Sequence, residues 1–169
     1  MTIADNQTAA IASGPPRALT FSHISVPCRD IPEGKLFYTK VLGGTVRVDT
    51  PDFVALKVFD AEIGIGSIGT TFVGHDSEYP HFAFFAGPDD MLQMKAWLTR
   101  CGIPTSNFWT RHGIEALMFF RDPSGNLIEL FCERGFKGAD KLPRGPARGH
   151  GTAVDVTSLH YRGWKVPNA

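Results

Sequence analysis

Residues 119–131 read FFRDPSGNLIELF, and the predicted architecture is worked out from this stretch. The run DPSG at 122–125 consists of turn-forming residues, so it predicts a tight turn between two apolar strands. The strand after the turn, expected at about 126–132, carries Glu129 among Leu, Ile and Phe neighbours. An ionised carboxylate in such surroundings is costly to bury unless it has a partner or binds a metal. Glu129 is therefore the first candidate functional residue.

The residues before this stretch predict one strand, one helix and two further strands. A strand is expected at 80–86 (PHFAFFA), and Pro88 is typical of the first turn of a helix. Apolar residues then follow at the i, i+3, i+4 and i+7 spacing of a helix with one buried face: Met94, Trp97, Leu98 and Cys101. Gly102 is expected to end this helix. Strands are then predicted at 106–110, 115–120 and 126–132.

The first half of the chain predicts the same order of elements. A strand at 19–26 is followed by Asp30, which is expected to cap a helix with Glu33 three residues later. The helix is expected to end at about Leu42, before two glycines. Three strands follow, at 45–48, 53–59 and 62–68. The sequence therefore indicates an internal repeat of two βαβββ modules, each built of one strand, one helix and three strands.

Three residues on the predicted strands have the donor atoms of a metal site. Because side chains alternate along a strand, His23, His81 and Glu129 fall at equivalent inner positions of the first, fifth and last strands. One helix covers only one sheet face, so the two modules are expected to face each other across a cleft where these residues converge. Two imidazoles and one carboxylate form the facial triad of non-haem Fe(II) enzymes, and Mn(II), Ni(II) or Zn(II) accept the same ligands.

These observations predict an α+β protein whose paired βαβββ modules form a cupped mixed sheet around a metal site. Each of the three residues alone has a simpler interpretation. A histidine in a strand is often a hydrogen-bonded core residue, and a glutamate in an apolar strand is often an edge residue that points to water. Their matching positions in the two modules favour the metal site.

The composition bounds the class of protein. With 169 residues, of which 43% are apolar and 20% charged, the chain predicts one globular domain. The net charge is zero, which gives no general attraction to nucleic acid or to an anionic membrane. No apolar run is long enough to predict a membrane span, and no apolar leader precedes Arg17. Three cysteines without metal-ligand spacing indicate reduced thiols, so a cytoplasmic protein is expected.

The motifs resemble those of the vicinal oxygen chelate superfamily, which contains glyoxalase I, fosfomycin-resistance transferases, methylmalonyl-CoA epimerase and type I extradiol dioxygenases. The resemblance spans 19–133 and is carried by SHISV, DIPEGKLFYTKVLGG, YPHFAFF and FFRDPSGNLIELF. Because superfamily members commonly form dimers, the resemblance also implies a homodimer. With this resemblance the predicted domain is a vicinal oxygen chelate domain at 18–133, with modules at about 18–68 and 79–133. The start of the chain lacks periodicity, which predicts a mobile arm at 1–17, and the composition of 134–169 indicates a Gly/Pro-rich basic extension.

The segment from His112 to Glu129 is similar to the signature of extradiol dioxygenases, in particular single-domain enzymes such as L-DOPA dioxygenase. This resemblance implies Fe(II), dioxygen and a small catechol that is L-DOPA-like or monocyclic. His112 matches the acid/base residue of that family, since an imidazole can take up and return a proton near neutral pH; an exposed loop histidine is the alternative. Phe119 stands where the family has a tyrosine that hydrogen-bonds the substrate, and Tyr161 is considered as its replacement.

Other residues give predictions about the substrate. Arg111, Arg162 and His75 are candidates to bind a carboxylate. The extension carries the run HYRGW at 160–164, and aromatic and cationic groups so close together favour a segment that folds back over the cleft or onto a partner subunit. A disordered tail is the alternative.

Three other functions stay open. A fosfomycin-type transferase would need a lysine and a serine where this chain has WTRHG at 109–113. Glyoxalase I and the epimerases use a fourth ligand, Glu or Gln, on the fourth strand, where only Glu62 qualifies and lies at the start of the strand. A protein that only sequesters a ligand would not need two histidines and a buried glutamate together.

Overall fold

The computed structural model describes residues 21–67, 79–145 and 154–167, and its elements follow the predicted order. The expected arm at 1–17, the outer ends of the strands predicted at 19–26 and 62–68, and His75 lie outside the described residues. In chain order, the strands and main helices are β1 His23–Pro27, α1 Ile31–Leu36, β2 Thr45–Asp49, β3 Phe53–Val58, β4 Ala61–Gly66, β5 His81–Phe85, α2 Pro88–Cys101, β6 Ala116–Arg121 and β7 Leu127–Cys132. A π-helical segment, Phe37–Val41, continues α1, and short 3-10 turns occur at Ala139–Lys141 and Thr157–Leu159.

The strands form two mixed sheets, one in each module. In the first module the strand order is β1-β4-β3-β2, and β1 runs parallel to β4. In the second module the order is β5-β7-β6, and β5 runs parallel to β7. The α+β class predicted from the sequence is confirmed.

The strand predicted at 106–110 is reduced to isolated bridges along β6. The Phe119 amide donates to the Ser106 hydroxyl (2.9 Å), which takes the place of the backbone carbonyl that a regular ladder would use. Trp109 still pairs with Leu117. Its side chain therefore lies on the same face of the sheet as that of Leu117.

Local signals explain where the helices begin and end. Asp30 caps α1 by accepting a hydrogen bond from the Glu33 amide (2.8 Å), as predicted. Pro88 opens α2, and Gly102 ends it with a φ of 75°, a left-handed conformation that glycine adopts without strain. Neither these helices nor any other in the described ranges is long and apolar enough to cross a membrane.

The two modules share one hydrophobic core. It is formed by the helices and by the sheet faces that they cover, including Val54, Leu56, Ile63, Met118, Phe120, Ile128 and Leu130. Trp97 of α2 donates to the Val41 carbonyl of the first module (3.0 Å). His23 and Glu129 lie on the opposite sheet faces. Within one protomer, the two modules therefore meet through the faces that lack these residues and do not enclose the expected cleft.

Residues 154–167 fold back onto both modules. Apolar side chains of this segment (Val154, Val156 and Leu159) pack on the Glu129 face of the second sheet against Trp109, Leu117, Phe119 and Leu127. Trp164 reaches the first module, where its indole nitrogen donates to Glu33 Oε1 (2.9 Å) and its ring packs edge-on against Phe37. The C-terminal segment thus fastens the two modules together.

Candidate metal centre

His81 and Glu129 form a close pair on one face of the second sheet. The parallel register of β5 and β7 places Ala83 directly beside Glu129, so His81 is a diagonal neighbour on the same face. His81 Nε2 lies 3.5 Å from Glu129 Oε2. Glu129 is only 3% exposed, so its carboxyl group is held here with little access to water. Two of the three predicted ligands are thus brought together.

The donor atoms of this pair fit a divalent cation. Imidazole nitrogen together with carboxylate oxygen suits Fe(II), Mn(II), Ni(II) and Zn(II). The separation of 3.5 Å between Nε2 and Oε2 lets one cation contact both atoms at ordinary ligand distances of about 2.0–2.2 Å. The pair supplies two ligands, so further donors are needed.

His23 does not join this pair within one protomer. It is exposed on the outer face of β1, where its Nδ1 lies 3.1 Å from the Ser22 hydroxyl. Among the residues that the structure describes, no three His, Cys, Asp or Glu side chains are grouped so that they could hold a metal ion. The third predicted ligand therefore lies on a separate, open surface.

Glu62 is the direct neighbour of His23. The parallel register of β1 and β4 pairs these two residues, so both side chains lie on the same outer face. In the sequence, Glu62 is only a weak candidate for a metal ligand, because it lies at the start of its predicted strand. The internal repeat could have shown its position, because β1 and β4 correspond to β5 and β7, which carry His81 and Glu129. Each module thus presents one histidine and one glutamate on neighbouring parallel strands.

Arg111 forms an ion pair with Glu129 that the sequence did not predict. Its Nη2 lies 3.5 Å from Glu129 Oε2, the same oxygen that faces His81. The guanidinium also lies over the Trp109 ring, 5.2 Å from its centroid. From the sequence, Arg111 is predicted only to bind a carboxylate of the substrate. The sequence does not show how the segment before β6 pairs with that strand, so it does not show that Arg111 lies beside Glu129.

Phe119 forms an apolar wall beside the pair. It lies opposite Glu129 in the β6–β7 register and is fully buried. Its ring centroid is 5.2 Å from that of His81, and Trp109 stacks on its other side at 5.7 Å. Phe119 is therefore next to the candidate metal ligands, at the position where the dioxygenase signature has a tyrosine.

His112 lies in the loop before β6 and is held by Glu115. Its Nδ1 is 3.2 Å from Glu115 Oε1, and its side chain is 77% exposed. Burial acts to raise the pKa of Glu115, but hydrogen bonds from backbone amides, among them those of Arg111 and His112, outweigh it and lower the pKa to about 2. Glu115 is therefore an anion that fixes one ring nitrogen of His112. Both residues line a cavity of about 460 Å³ together with Arg111, Phe131 and Arg134.

Tyr161 is engaged elsewhere. Its hydroxyl donates to the Arg121 carbonyl (3.0 Å), and its ring packs against the common core rather than on the Glu129 face. Burial, followed by the nearby Asp122 carboxylate, raises the pKa of this hydroxyl. Arg162 is exposed on the C-terminal segment next to it. The structure does not bring Tyr161 to His81 and Glu129.

Known proteins share this architecture. A lactoylglutathione lyase from Agrobacterium tumefaciens is 19% identical, with a TM-score of 0.56 over 70% of this chain and 95% of the other. A glyoxalase/bleomycin resistance protein/dioxygenase from Alicyclobacillus acidocaldarius is 26% identical, with a TM-score of 0.55 over 66% and 89%. The fosfomycin resistance protein FosX from Listeria monocytogenes is 16% identical, with a TM-score of 0.60 over 68% and 91%. No curated protein matches the sequence.

The sequence also matches a family model directly. Residues 20–130 fit the model of the Glyoxalase/Bleomycin resistance protein/Dioxygenase superfamily, and this match covers both modules from β1 to β7. The matched segment contains His23, His81 and Glu129. The chain therefore belongs to the Glyoxalase/Bleomycin resistance protein/Dioxygenase superfamily.

Proposed function

We propose that the protein is an extradiol ring-cleaving dioxygenase that acts on a small catechol, with a non-haem Fe(II) bound by His81, Glu129 and the His23 of a second copy of the chain. The observation that carries this proposal is the pair of the half-buried His81 and the buried Glu129 on one sheet face, with Nε2 and Oε2 3.5 Å apart. The spacing of His112, Phe119 and Glu129 adds the resemblance to the dioxygenase signature.

A homodimer would complete the ligand set. The outer face of the first sheet carries His23 and leaves apolar residues exposed, with Phe53 at 37% and Val48 at 47%. The face of the second sheet that carries Glu129 leaves Phe85 81% exposed. In a two-fold dimer, the His23 face of each protomer would cover the part of the other's Glu129 face that residues 154–159 leave open, and two identical sites would form. The same contact would bury the exposed apolar side chains.

The reaction breaks one ring C–C bond beside the two hydroxyl-bearing carbons and places both atoms of dioxygen in the open-chain product. No other oxidant is needed, because the catechol supplies the electrons that reduce dioxygen. When bound, the cation would supply a Lewis acid that holds the two catechol oxygens and promotes loss of their protons.

His112 and the aromatic residues beside the pair would support that chemistry. His112 can take up a catechol proton through Nε2, because Glu115 occupies its Nδ1. Such a proton transfer contributes roughly 10²–10⁴-fold to a rate. The buried rings of Phe119 and Trp109 would keep water away from one side of the proposed metal ligands, His81 and Glu129.

The test is oxygen uptake by protein loaded anaerobically with Fe(II), mixed with a panel of catechols and then exposed to air. We expect one dioxygen consumed per catechol and a yellow ring-opened product. Glu129→Gln is expected to lose both bound iron and oxygen uptake, whereas Asp89→Asn, the same carboxylate-to-amide change at an exposed position in the first turn of α2, is the matched control and keeps both. Iron-loaded protein that consumes no oxygen with any catechol would overturn the proposal, and tight ligand binding without turnover would indicate a sequestering protein.

The position of Glu62 favours a second candidate function. Glu62 lies beside His23, so a dimer would offer two histidines and two glutamates, the four-ligand set of glyoxalase I and the epimerases. Such an isomerase moves a proton between neighbouring carbons and consumes no dioxygen. Glu62→Gln separates the two candidates. An isomerase would lose activity on glutathione adducts or thioesters and bind metal more weakly, whereas a dioxygenase would keep its iron and its oxygen uptake.

A further inference from the structure

We infer that Arg111 selects substrates that carry an acid group: it neutralises Glu129 while no cation is bound, and the bound cation frees it to pair with a carboxylate on the substrate. This inference rests on the proposed function and names the substrate class of the same site. It therefore predicts an anionic catechol rather than a neutral one.

Arg111 and His81 both face the same carboxylate oxygen of Glu129. Glu129 Oε2 lies 3.5 Å from both Arg111 Nη2 and His81 Nε2. A divalent cation bound to this oxygen and to His81 would lie within a few ångströms of the guanidinium. Two like charges at that distance repel strongly in a partly buried site. The ion pair between Arg111 and Glu129 and the bound metal therefore compete for the same oxygen.

A bound cation would displace the guanidinium of Arg111 from Glu129, but the backbone of Arg111 would stay in place. Its backbone is held at both ends: the amide donates to Glu115 Oε1 (2.7 Å), and the carbonyl accepts from Arg144 Nη1 (3.4 Å). Its side chain is 41% exposed and lies over the buried Trp109 ring. The backbone therefore stays fixed while the guanidinium can turn toward the cavity of about 460 Å³ that Arg111 helps to line.

The cavity that Arg111 lines contains charged groups of both signs. Its lining includes Arg111 and Arg134 as cations, and Glu133 and Glu115 as anions. Glu115 is already occupied by two backbone amides and by His112, so it offers little to a cationic ligand. A guanidinium presents a planar pair of donors that matches a carboxylate. The arrangement favours a ligand whose acid group points at Arg111 while its hydroxyl groups point at the metal ligands.

The test compares the wild type with Arg111→Gln, Arg111→Lys and the control Arg100→Gln, at an exposed position of α2 outside the cavity. Mn(II) affinity is measured first, without any substrate, by calorimetry and by the loss of the free Mn(II) EPR signal. We expect Arg111→Gln to bind Mn(II) about tenfold more tightly, because its competitor is gone. Arg111→Lys keeps the charge and is expected to stay near the wild type, as is Arg100→Gln. Equal Mn(II) affinity in Arg111→Gln and the wild type would overturn the inference, and so would an equal gain in Arg111→Lys.

Ligand preference is measured next, by anaerobic binding of 3,4-dihydroxyphenylacetate and of neutral 4-methylcatechol to the metal-loaded proteins. We expect the wild type to prefer the anionic catechol by roughly 10–100-fold, and Arg111→Gln to lose this preference without weaker binding of 4-methylcatechol. Equal binding of both catechols to the wild type would overturn the inference but leave the dioxygenase proposal standing. Binding of neither catechol would overturn the dioxygenase proposal together with the anionic-catechol assignment, and the Mn(II) result would still decide the competition at Glu129.

Discussion

Tyr38 Oη donates a hydrogen bond of 3.0 Å to Asp122 Oδ2, and both residues are buried where the two modules meet. Asp122 belongs to the turn between β6 and β7, 84 residues along the chain from Tyr38. Burial raises the pKa of the Asp122 carboxyl, although Asn126, Tyr38 and the Ser124 amide all donate to it and lower the pKa. The DPSG turn at 122–125 is thus also a contact between the two modules.

Removal of this hydroxyl is expected to destabilise the protein. Tyr38→Phe leaves Asp122 Oδ2 with one donor fewer in a buried place, which costs about 1–3 kcal/mol of unfolding free energy. Urea denaturation measures this loss. Tyr79→Phe is the matched control, because it also removes one tyrosine hydroxyl, but from a residue that is 70% exposed. Equal stability of the two variants would show that the bond does not hold the modules together.

Glu115 gives the protein a specific sensitivity to acid. The pKa of Glu115 is lowered from its ordinary value of 4.5 to about 2, so the ionised form is favoured by folding. The stabilisation is complete above pH 4.5 and is lost as the pH falls toward 2. It amounts to the order of 3 kcal/mol. We expect the wild type to exceed Glu115→Gln in unfolding free energy at pH 6, and this difference to shrink toward zero near pH 2; a difference that does not change with pH would contradict the assignment.

Leu159 anchors the C-terminal segment on the Glu129 face. It is 2% exposed and packs in a cluster with Trp109 and Phe119. Leu159→Ala is expected to lower the unfolding free energy by about 2–4 kcal/mol, whereas Val166→Ala, at a position 37% exposed, should change it by less than about 0.5 kcal/mol. Thermal unfolding followed by circular dichroism compares the two. A mobile tail would give two equal and small effects.

Much of the fold could be predicted because its signals are local. The alternation of residues along 80–86 and 126–132 gives two strands, and strand parity alone places His81 and Glu129 on matching faces. The cap at Asp30 is equally local. The sequence does not show which faces of the two modules meet, because both faces of each sheet carry apolar residues, and the larger apolar area decides the contact. This is why the separation of His23 from Glu129 within one protomer was not predicted.

Other parts of the site depend on contacts between distant segments. Glu62 becomes a neighbour of His23 only through the parallel pairing of β1 and β4, which strand patterns do not specify. Arg111 reaches Glu129 because its segment follows β6 by isolated bridges, whose geometry no turn motif encodes. From the sequence, Tyr161 is predicted to contact the substrate only as a replacement for the family tyrosine at the position of Phe119, and in the structure its hydroxyl donates to the Arg121 carbonyl.

If the proposed ligands are divided between two protomers, as their sheet faces imply, two defective proteins are expected to restore each other's sites. His23→Ala removes the ligand from one face, and Glu129→Gln removes it from the other, so each homodimer should bind no catalytic metal. In a mixed dimer, one site combines the intact His23 of one chain with the intact His81 and Glu129 of the other, while the second site has both defects. Random pairing makes half of the dimers mixed, so about one quarter of the sites should be restored.

The measurement uses co-expression of the two variants with different affinity tags and tandem purification of mixed dimers. These should bind about one Fe(II) per dimer, and dialysis against a chelator should remove it. A mixture of His81→Ala with Glu129→Gln is the control, because both substitutions damage the same half of the site: its mixed dimers keep His81 and Glu129 on different chains and should bind no iron. Iron binding by both mixtures, or by neither, would contradict a site shared between protomers, since a site made within one chain cannot be restored by pairing.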